Sequence, residues 1–283
     1  MDNLTTYFEV LNWASSFLEK AGKEVSIADY LLMERQQFSR TDLLLHLRKP
    51  MPSEVKQQLQ ADLELILEDI PPQYIIGHCD FYGHRFNVSS ATLIPRPETE
   101  ELVELCLSDN LALDTPLKVV DIGTGTGAIG VSLKSARPKW EVMITDISHE
   151  ALLIAKENAE RLQVKVCTRV GSTLEPLIEN KEWVDIIVSN PPYIGIEEWE
   201  MMDASVRKYE PKTALFADRN GLAVYEKIAK EAPLVLKEAG RIYLEIGYLQ
   251  GKAVQELFQE AFPNKQVDIM KDLSGLDRMI KVS

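Results

Sequence analysis

Apolar positions along the chain change their period twice, and each change marks a new kind of structure. In the first seventy residues, Leu4, Tyr7, Phe8, Leu11, Ala14 and Leu18 recur at three- and four-residue intervals, which puts them on one helical face. Ser26, as an N-cap, predicts a second helix carrying Ala28, Leu31 and Leu32. Thr41-Asp42 starts a short third helix, stopped by Lys49-Pro50. Ser53 caps a fourth, with Val55, Leu59, Leu63, Ile66 and Leu67 on one side, and Pro71-Pro72 closes the segment. The simplest reading is an all-α bundle over residues 1–72, with these positions as its core. It shows no chemistry of its own, but such a bundle can serve as a docking surface.

Residues 73–95 switch to a two-residue period and predict a β-hairpin linker, with Phe81 to Val88 folding around Gly83. Pro97 then opens a helix, with Glu98, Glu100 and Glu101 at its positive end and Leu102, Val103 and Leu105 turned inward. From Leu117 the pattern alternates between strand and helix, which predicts a parallel sheet covered on both faces. Strands are expected at 117–121, 141–145, 164–168, 184–188 and 241–246, and helices from about Ala128, at 148–162 and at 220–237. Two more strands, near 266–270 and 277–282, form an antiparallel closing hairpin around Gly275. The fold class is therefore α/β, a mostly parallel Rossmann-like domain over residues 96–283 behind a small helical bundle.

Composition narrows the setting. The 283 residues hold 45% hydrophobic and 27% charged side chains, ordinary for a soluble globular protein. No apolar run reaches the length of a membrane span, and Met1-Asp2-Asn3 does not begin a signal peptide. Cys79, Cys106 and Cys167 are odd in number and far apart, which predicts neither disulfide framework nor metal site and suits a reducing cytoplasm. The four histidines form no ligand-spaced pair. A formal net charge of −13 weighs against nucleic acid as the main partner, because phosphate contacts need a basic face. With no long apolar stripe left over, a monomer is expected.

Two stretches carry chemistry. Ile122-Gly123-Thr124-Gly125-Thr126-Gly127 lies between a strand and a helix, where glycines let the backbone approach a ligand and expose N–H groups. Asp146 ends the next strand about twenty residues on, the spacing of an acid that accepts ribose hydroxyls. The pair predicts an adenosine-bearing cofactor without saying which, and Gly123-x-Gly125-x-x-Ala128 also fits a dinucleotide fingerprint. Asp121, at the end of the first strand, would act on the cofactor directly or through the loop.

The second stretch is Asn190-Pro191-Pro192-Tyr193. The apolar run Val184 to Val188 forms a buried parallel strand, and the two prolines forbid its continuation. Asn-Pro is also a common turn former, and a plain surface loop is the bland alternative. At the carboxyl edge of a sheet, however, it offers a side-chain carbonyl (Asn190), a rigid backbone carbonyl (Pro191) and an aromatic face (Tyr193). Two acceptors and a stacking plane suit a flat –NH2 on a conjugated carbon, as in a glutamine amide or the amino group of adenine. A nicotinamide dehydrogenase would need a hydride-transfer acid or base that nothing here nominates. A methyltransferase using S-adenosylmethionine needs only a nucleophile held in line.

These residues together resemble the release-factor glutamine methyltransferases, the HemK/PrmC family, over essentially the whole length. The likeness runs through Tyr74 to Gly77, Leu93 to Glu100, Asp121 to Gly127, Asn190 to Tyr193, Tyr209-Glu210-Pro211, Ala214-Leu215-Phe216, Leu244 to Gly247 and Asp277-Arg278. Asn-Pro-Pro-Tyr alone is shared with adenine-N6 DNA methyltransferases, whereas Ile94 to Glu100 is far more specific and favours release factors over a ribosomal protein as substrate. The resemblance implies transfer of a methyl group from S-adenosylmethionine to the glutamine of a Gly-Gly-Gln loop in a peptide chain release factor, without metal. It implies Asn190, Pro191 and Tyr193 as catalytic residues, with Pro192, Arg96, Glu98 and Thr99 also meeting substrate. It implies Asp121, Gly123, Thr124, Gly125, Thr126, Gly127, Asp146, Ile147, Ser172, Thr173 and Asn190 around the cofactor. Where the family usually has an acid after the third strand, this chain has Ser172. Two other readings stand beside it: an adenine-N6 methyltransferase on nucleic acid, and a non-catalytic adapter keeping the fold as scaffold.

Overall fold

The computed structural model describes residues 5–111 and 115–283; Leu4, counted in the first helical stripe, lies outside them. The chain divides into two compact units. One comprises the residues up to Gly77 together with Asp203–Tyr209, and the other His78–Met202 with Glu210–Ser283.

The first unit is helical. Its helices span Tyr7–Lys20, Ser26–Gln36, Arg40–His46, Ser53–Leu67 and Pro72–Ile76. Val10, Ala14, Leu18, Leu31, Leu32, Leu43, Leu59 and Leu63 are buried together, so the helical period marks most of this core, but Phe8 and Leu67, expected in it, are exposed. Three local readings differ. Ser26 and Ser53 are the first residues of their helices rather than caps, with Val25 and Pro52 in the capping positions. Ser39 caps the third helix, its hydroxyl accepting from Asp42 N. The two-residue period expected from residue 73 begins only at His78, because Pro72 opens one more helical turn that Gly77 ends in the left-handed region. The segment 203–209 is tied to this unit by Lys208 Nζ and Tyr209 Oη, both donating to the Glu68 carbonyl at 2.8 Å.

Among the described residues the second unit carries nine strands: β1 His78–Phe81, β2 His84–Asn87, β3 Lys118–Ile122, β4 Glu141–Asp146, β5 Cys167–Val170, β6 Val184–Ser189, β7 Leu236–Glu245, β8 Val267–Lys271 and β9 Asp277–Val282. β1 and β2 form the expected hairpin, whose Phe81 and Phe86 pack into one face of the main sheet. The other seven run in the order β5-β4-β3-β6-β7-β9-β8, parallel except for β9, which runs antiparallel to both β7 and β8. Helices Pro97–Asp109, Ala128–Ala136 and His149–Arg161 cover one face, and Ala223–Glu231 and Gly251–Ala261 the other.

Two boundaries moved for physical reasons. The helix expected over 220–237 ends at Glu231, since Pro233 cannot donate, and one 3-10 turn leads into β7 at Leu236. β5 starts at Cys167 rather than 164, because Val164 N still donates to Ala159 O in closing the preceding helix.

The chain moves outward in one direction from β3 through β4 to β5, then returns to the other side of β3 with β6. The connections therefore part between β3 and β6, and open sheets bind ligands at the carboxyl end of such a point.

Candidate active site

Register delivers the two predicted stretches to one place. Asp121 pairs with Val188 and Ile122 with Ser189, so Gly123 and Asn190 leave adjacent strands side by side. Ser189 is fully buried and its hydroxyl donates to Ile122 O at 2.7 Å, pinning the two strand ends together.

Above them opens a cavity of ≈ 310 Å³, at the lower end of the roughly 300–1,000 Å³ usual for small-molecule sites. Of the expected residues, Gly123, Gly125, Asp146, Ile147, Ser172, Thr173, Asn190, Pro191 and Pro192 line it. Leu93, Ala214 and Phe216 add apolar wall. Asp121, Thr124, Thr126, Gly127, Tyr193, Arg96, Glu98 and Thr99 are not among the lining residues; most of them shape the wall from behind.

Asp121 braces the glycine loop. Its Oδ2 accepts from Thr124 Oγ1 at 2.5 Å and from Gly130 N at 2.9 Å, while among the described residues Oδ1 is buried without a hydrogen bond. Burial pushes its carboxyl up to about 7, against the pull of the two donors. Gly123, Gly125 and Gly127 all have positive φ, which bends the loop around the cavity floor. Thr126 O is held by Asn158 Nδ2 at 2.9 Å.

Asp146 accepts from Gly125 N and Ser148 N, each at 2.9 Å. Each oxygen keeps a lone pair for a further donor. Burial raises this carboxyl as well. Ile147 beside it is 68% exposed yet lines the cavity, leaving an apolar side chain uncovered where a flat ring would rest. Ser172 Oγ accepts from Lys227 Nζ at 2.7 Å; Thr173 donates to Glu231 at 2.5 Å. A glycine loop that lets the backbone come close, a carboxylate with open lone pairs and an apolar shelf together fit an adenosine-bearing group.

The Asn-Pro-Pro-Tyr loop is fixed at both ends. Asn190 Nδ2 donates to Thr99 Oγ1 at 3.0 Å, and Thr99 donates to Glu245 Oε2 at 2.6 Å. Tyr193 O accepts from Gln250 Nε2 at 2.9 Å, and Ile194 N donates to Leu215 O at 2.9 Å. The Tyr193 ring is half-buried against the core under helices Ala223–Glu231 and Gly251–Ala261 rather than standing in the cavity wall. Its phenol is held above the usual tyrosine range, by burial first and by Glu245 next. Arg96 forms an ion pair with Glu210, whose other oxygen accepts from Ile94 N at 3.2 Å, so this pair holds the Leu93 strap of the cavity. Glu98 is exposed near the loop.

Sequence reasoning missed Glu245, Glu210, Gln250 and Gly221 as parts of this site. Glu245 and Glu210 lie within stretches that carried the family resemblance; for Glu245 an acid closing an apolar strand was the signal available, while Glu210 lies between two short helices and gave no pattern of its own. Gln250 and Gly221 gave no such signal. Among the described residues there is no cluster able to hold a metal ion and no helix long and apolar enough to cross a membrane.

The chain is similar to known proteins over nearly its whole length. Residues 9–77 match the PrmC N-terminal domain and residues 104–270 the methyltransferase small domain. The release factor glutamine methyltransferase of Enterococcus faecalis is 55% identical over 273 residues, covering 96% of this chain and 97% of that one. The protein of the same name from Streptococcus pneumoniae is 43% identical over 266 residues, covering 94% of each. A methyltransferase from Pyrococcus furiosus superposes with a TM-score of 0.52 at 16% identity, over 82% of this chain and 98% of that one, a likeness of fold.

Proposed function

The chain belongs to the release factor glutamine methyltransferases, and from that premise we propose how its residues methylate a glutamine amide. The substrate is the glutamine side chain of the release factor's Gly-Gly-Gln loop, and the product carries the methyl group on the amide nitrogen. The observation that carries this reading is the orientation of Asn190. Its Nδ2 is committed to Thr99, which leaves Oδ1 as the end of the amide not used in that bond, on a residue that lines the cavity.

S-adenosylmethionine, when bound, supplies an electrophilic methyl on a positively charged sulfur. Asp146 would accept the ribose hydroxyls, the Gly123–Gly127 loop would meet the amino-acid end, and Ile147 and Ser172 would meet the base. Asp121 acts through the loop that it braces.

An amide nitrogen is a poor nucleophile because its lone pair is delocalised into the carbonyl. Asn190 Oδ1 and the Pro191 carbonyl would accept its two N–H hydrogens, orient it, and favour positive charge developing on it. Both acceptors are fixed before reaction, one by the Thr99 bond and one by proline, so little reorganisation is needed. The apolar wall of Leu93, Ala214 and Phe216 holds the amide plane for in-line attack, while Tyr193, packed behind that wall, fixes the loop that carries the two acceptors. The helical bundle contributes to gripping the release factor.

The test is a methyl-transfer assay with labelled S-adenosylmethionine, offering release factor and unmethylated DNA in parallel. Label on the Gly-Gly-Gln glutamine, lost when that glutamine is changed, is the expected result. Label on adenine would overturn it.

A further inference from the structure

Glu245 ends β7 and is 2% exposed, yet its carboxylate takes no part in the reading above. Burying a carboxylate is costly unless something uses or pairs it. Its surroundings are specific. Thr99 donates to Oε2 at 2.6 Å from the helix 97–109, and Tyr225 Oη donates to its backbone carbonyl at 2.7 Å. Arg278 on β9 and a weaker direct hydrogen bond from the Asn190 amide act on it favourably, the latter favouring the same end of that amide, and Glu98 and the Tyr193 phenol face it with opposite effect.

We propose that Glu245 is a positioning residue for Asn190 which, through the Thr99 hydroxyl, dictates the end of the Asn190 amide that faces the substrate. This deepens the function given above and rests on Asn190 being the acceptor. The reasoning is one of hydrogen-bond polarity. An ionised carboxylate only accepts, so the single hydrogen of the Thr99 hydroxyl is committed to Glu245. Thr99 Oγ1 then has only lone pairs to offer, and Asn190 must turn its NH2 to it. Oδ1 is left for the incoming amide. Were the polarity reversed, Thr99 would donate to Oδ1, and Asn190 would present N–H groups to the N–H groups of the substrate.

The relay breaks when Glu245 takes up a proton, because a carboxylic acid can itself donate to Thr99 and free the hydroxyl to turn to Asn190. Burial places that carboxyl at about 7, so the change falls in an accessible range. Turnover with both substrates saturating should fall as pH drops through that value. Titration of Asp121 beneath the glycine loop would be read instead in the affinity for cofactor.

Thr99→Val keeps the shape and removes the relay; Thr99→Ser keeps the hydroxyl. Thr99→Val should lower kcat by about 10- to 100-fold, as loss of a partner that orients an active side chain commonly does. Cofactor Kd should stay within a few-fold, and Thr99→Ser should recover most of the rate. In Glu245→Gln the acid limb of the kcat profile should disappear. A folded Thr99→Val protein with wild-type kcat, a Ser variant as slow as the Val variant, or an acid limb that persists in Glu245→Gln would each overturn the relay. If Thr99→Val fails to fold, the Glu245→Gln profile decides. Asn190→Ala, assayed alongside, separates the two claims: if it stays active, the acceptor role itself fails; if it is inactive while Thr99→Val is active, only the relay fails.

Discussion

Ile122 and Ser189 are partners on adjacent parallel strands, and the Ser189 hydroxyl closes the pair by donating to the Ile122 carbonyl at 2.7 Å. One residue beyond this pair, β3 becomes the glycine loop and β6 becomes Asn-Pro-Pro-Tyr. The separation of the two loops is thus set by sheet register, which is rigid, and on the proposed reading the loops need only hold their own shape to set donor against nucleophile.

Gly221 is a second point where that shape is enforced. A Cβ there would lie 1.9 Å from Tyr193 O and 2.4 Å from Gln250 Nε2, and the residue has φ +83°. Gly221→Ala should destabilise the protein by about 2–3 kcal/mol from backbone strain and the forced shift. Its methyl transfer should fall even at temperatures where it stays folded. Thermal denaturation together with a rate at 25 °C, a temperature low enough for the fold to persist, checks both; an unchanged rate would show that the Tyr193 carbonyl can move freely.

Asp146 is bonded to the loop and open to a ligand at once. Asp146→Asn replaces one acceptor oxygen by a donor, so it sets an N–H group against either a ribose hydroxyl or a backbone N–H. Cofactor affinity should weaken by about tenfold or more, the cost of leaving one buried polar group unpaired, while kcat at saturating cofactor changes less. Calorimetric titration with S-adenosylhomocysteine reads the first, and unchanged affinity would remove Asp146 from the site.

Asp121 makes stability depend on pH. Its folded pKa of about 7 lies above the unfolded value of 3.8, so the folded state binds the proton more tightly. The stabilisation is complete below the unfolded pKa and is lost as pH rises through about 7. Asp121→Asn should therefore flatten the curve, removing about 2 kcal/mol of the decline between roughly pH 5 and 8. Urea unfolding at the two pH values measures this; equal slopes in both proteins would show that Asp121 stays ionised throughout.

Much of this architecture could be read from residues alone because the physics there is local. Runs such as Val119-Val120 and Ile186-Ile187-Val188 have one stable use, a strand buried on both faces, and glycines or prolines mark where each run stops. The turns Glu175–Glu179, Ile196–Trp199 and Lys212–Leu215 are too short to show a period, and went unread. The relay was hidden for a different reason. Thr99, Asn190 and Glu245 are 91 and 146 positions from one another along the chain in the two bonds that join them, and only the strand order brings them together. The cavity wall was legible by motif, but the hydrogen bonds that orient it depend on tertiary register.

The most direct test of the account is Asn190→Ala, assayed on release factor with labelled S-adenosylmethionine after cofactor affinity has been measured by calorimetry. Methyl transfer should fall by about a hundredfold or more, as for other fixed electrostatic partners of a transition state, while cofactor Kd stays within a few-fold. A folded Asn190→Ala protein that methylates the glutamine at the wild-type rate would contradict it.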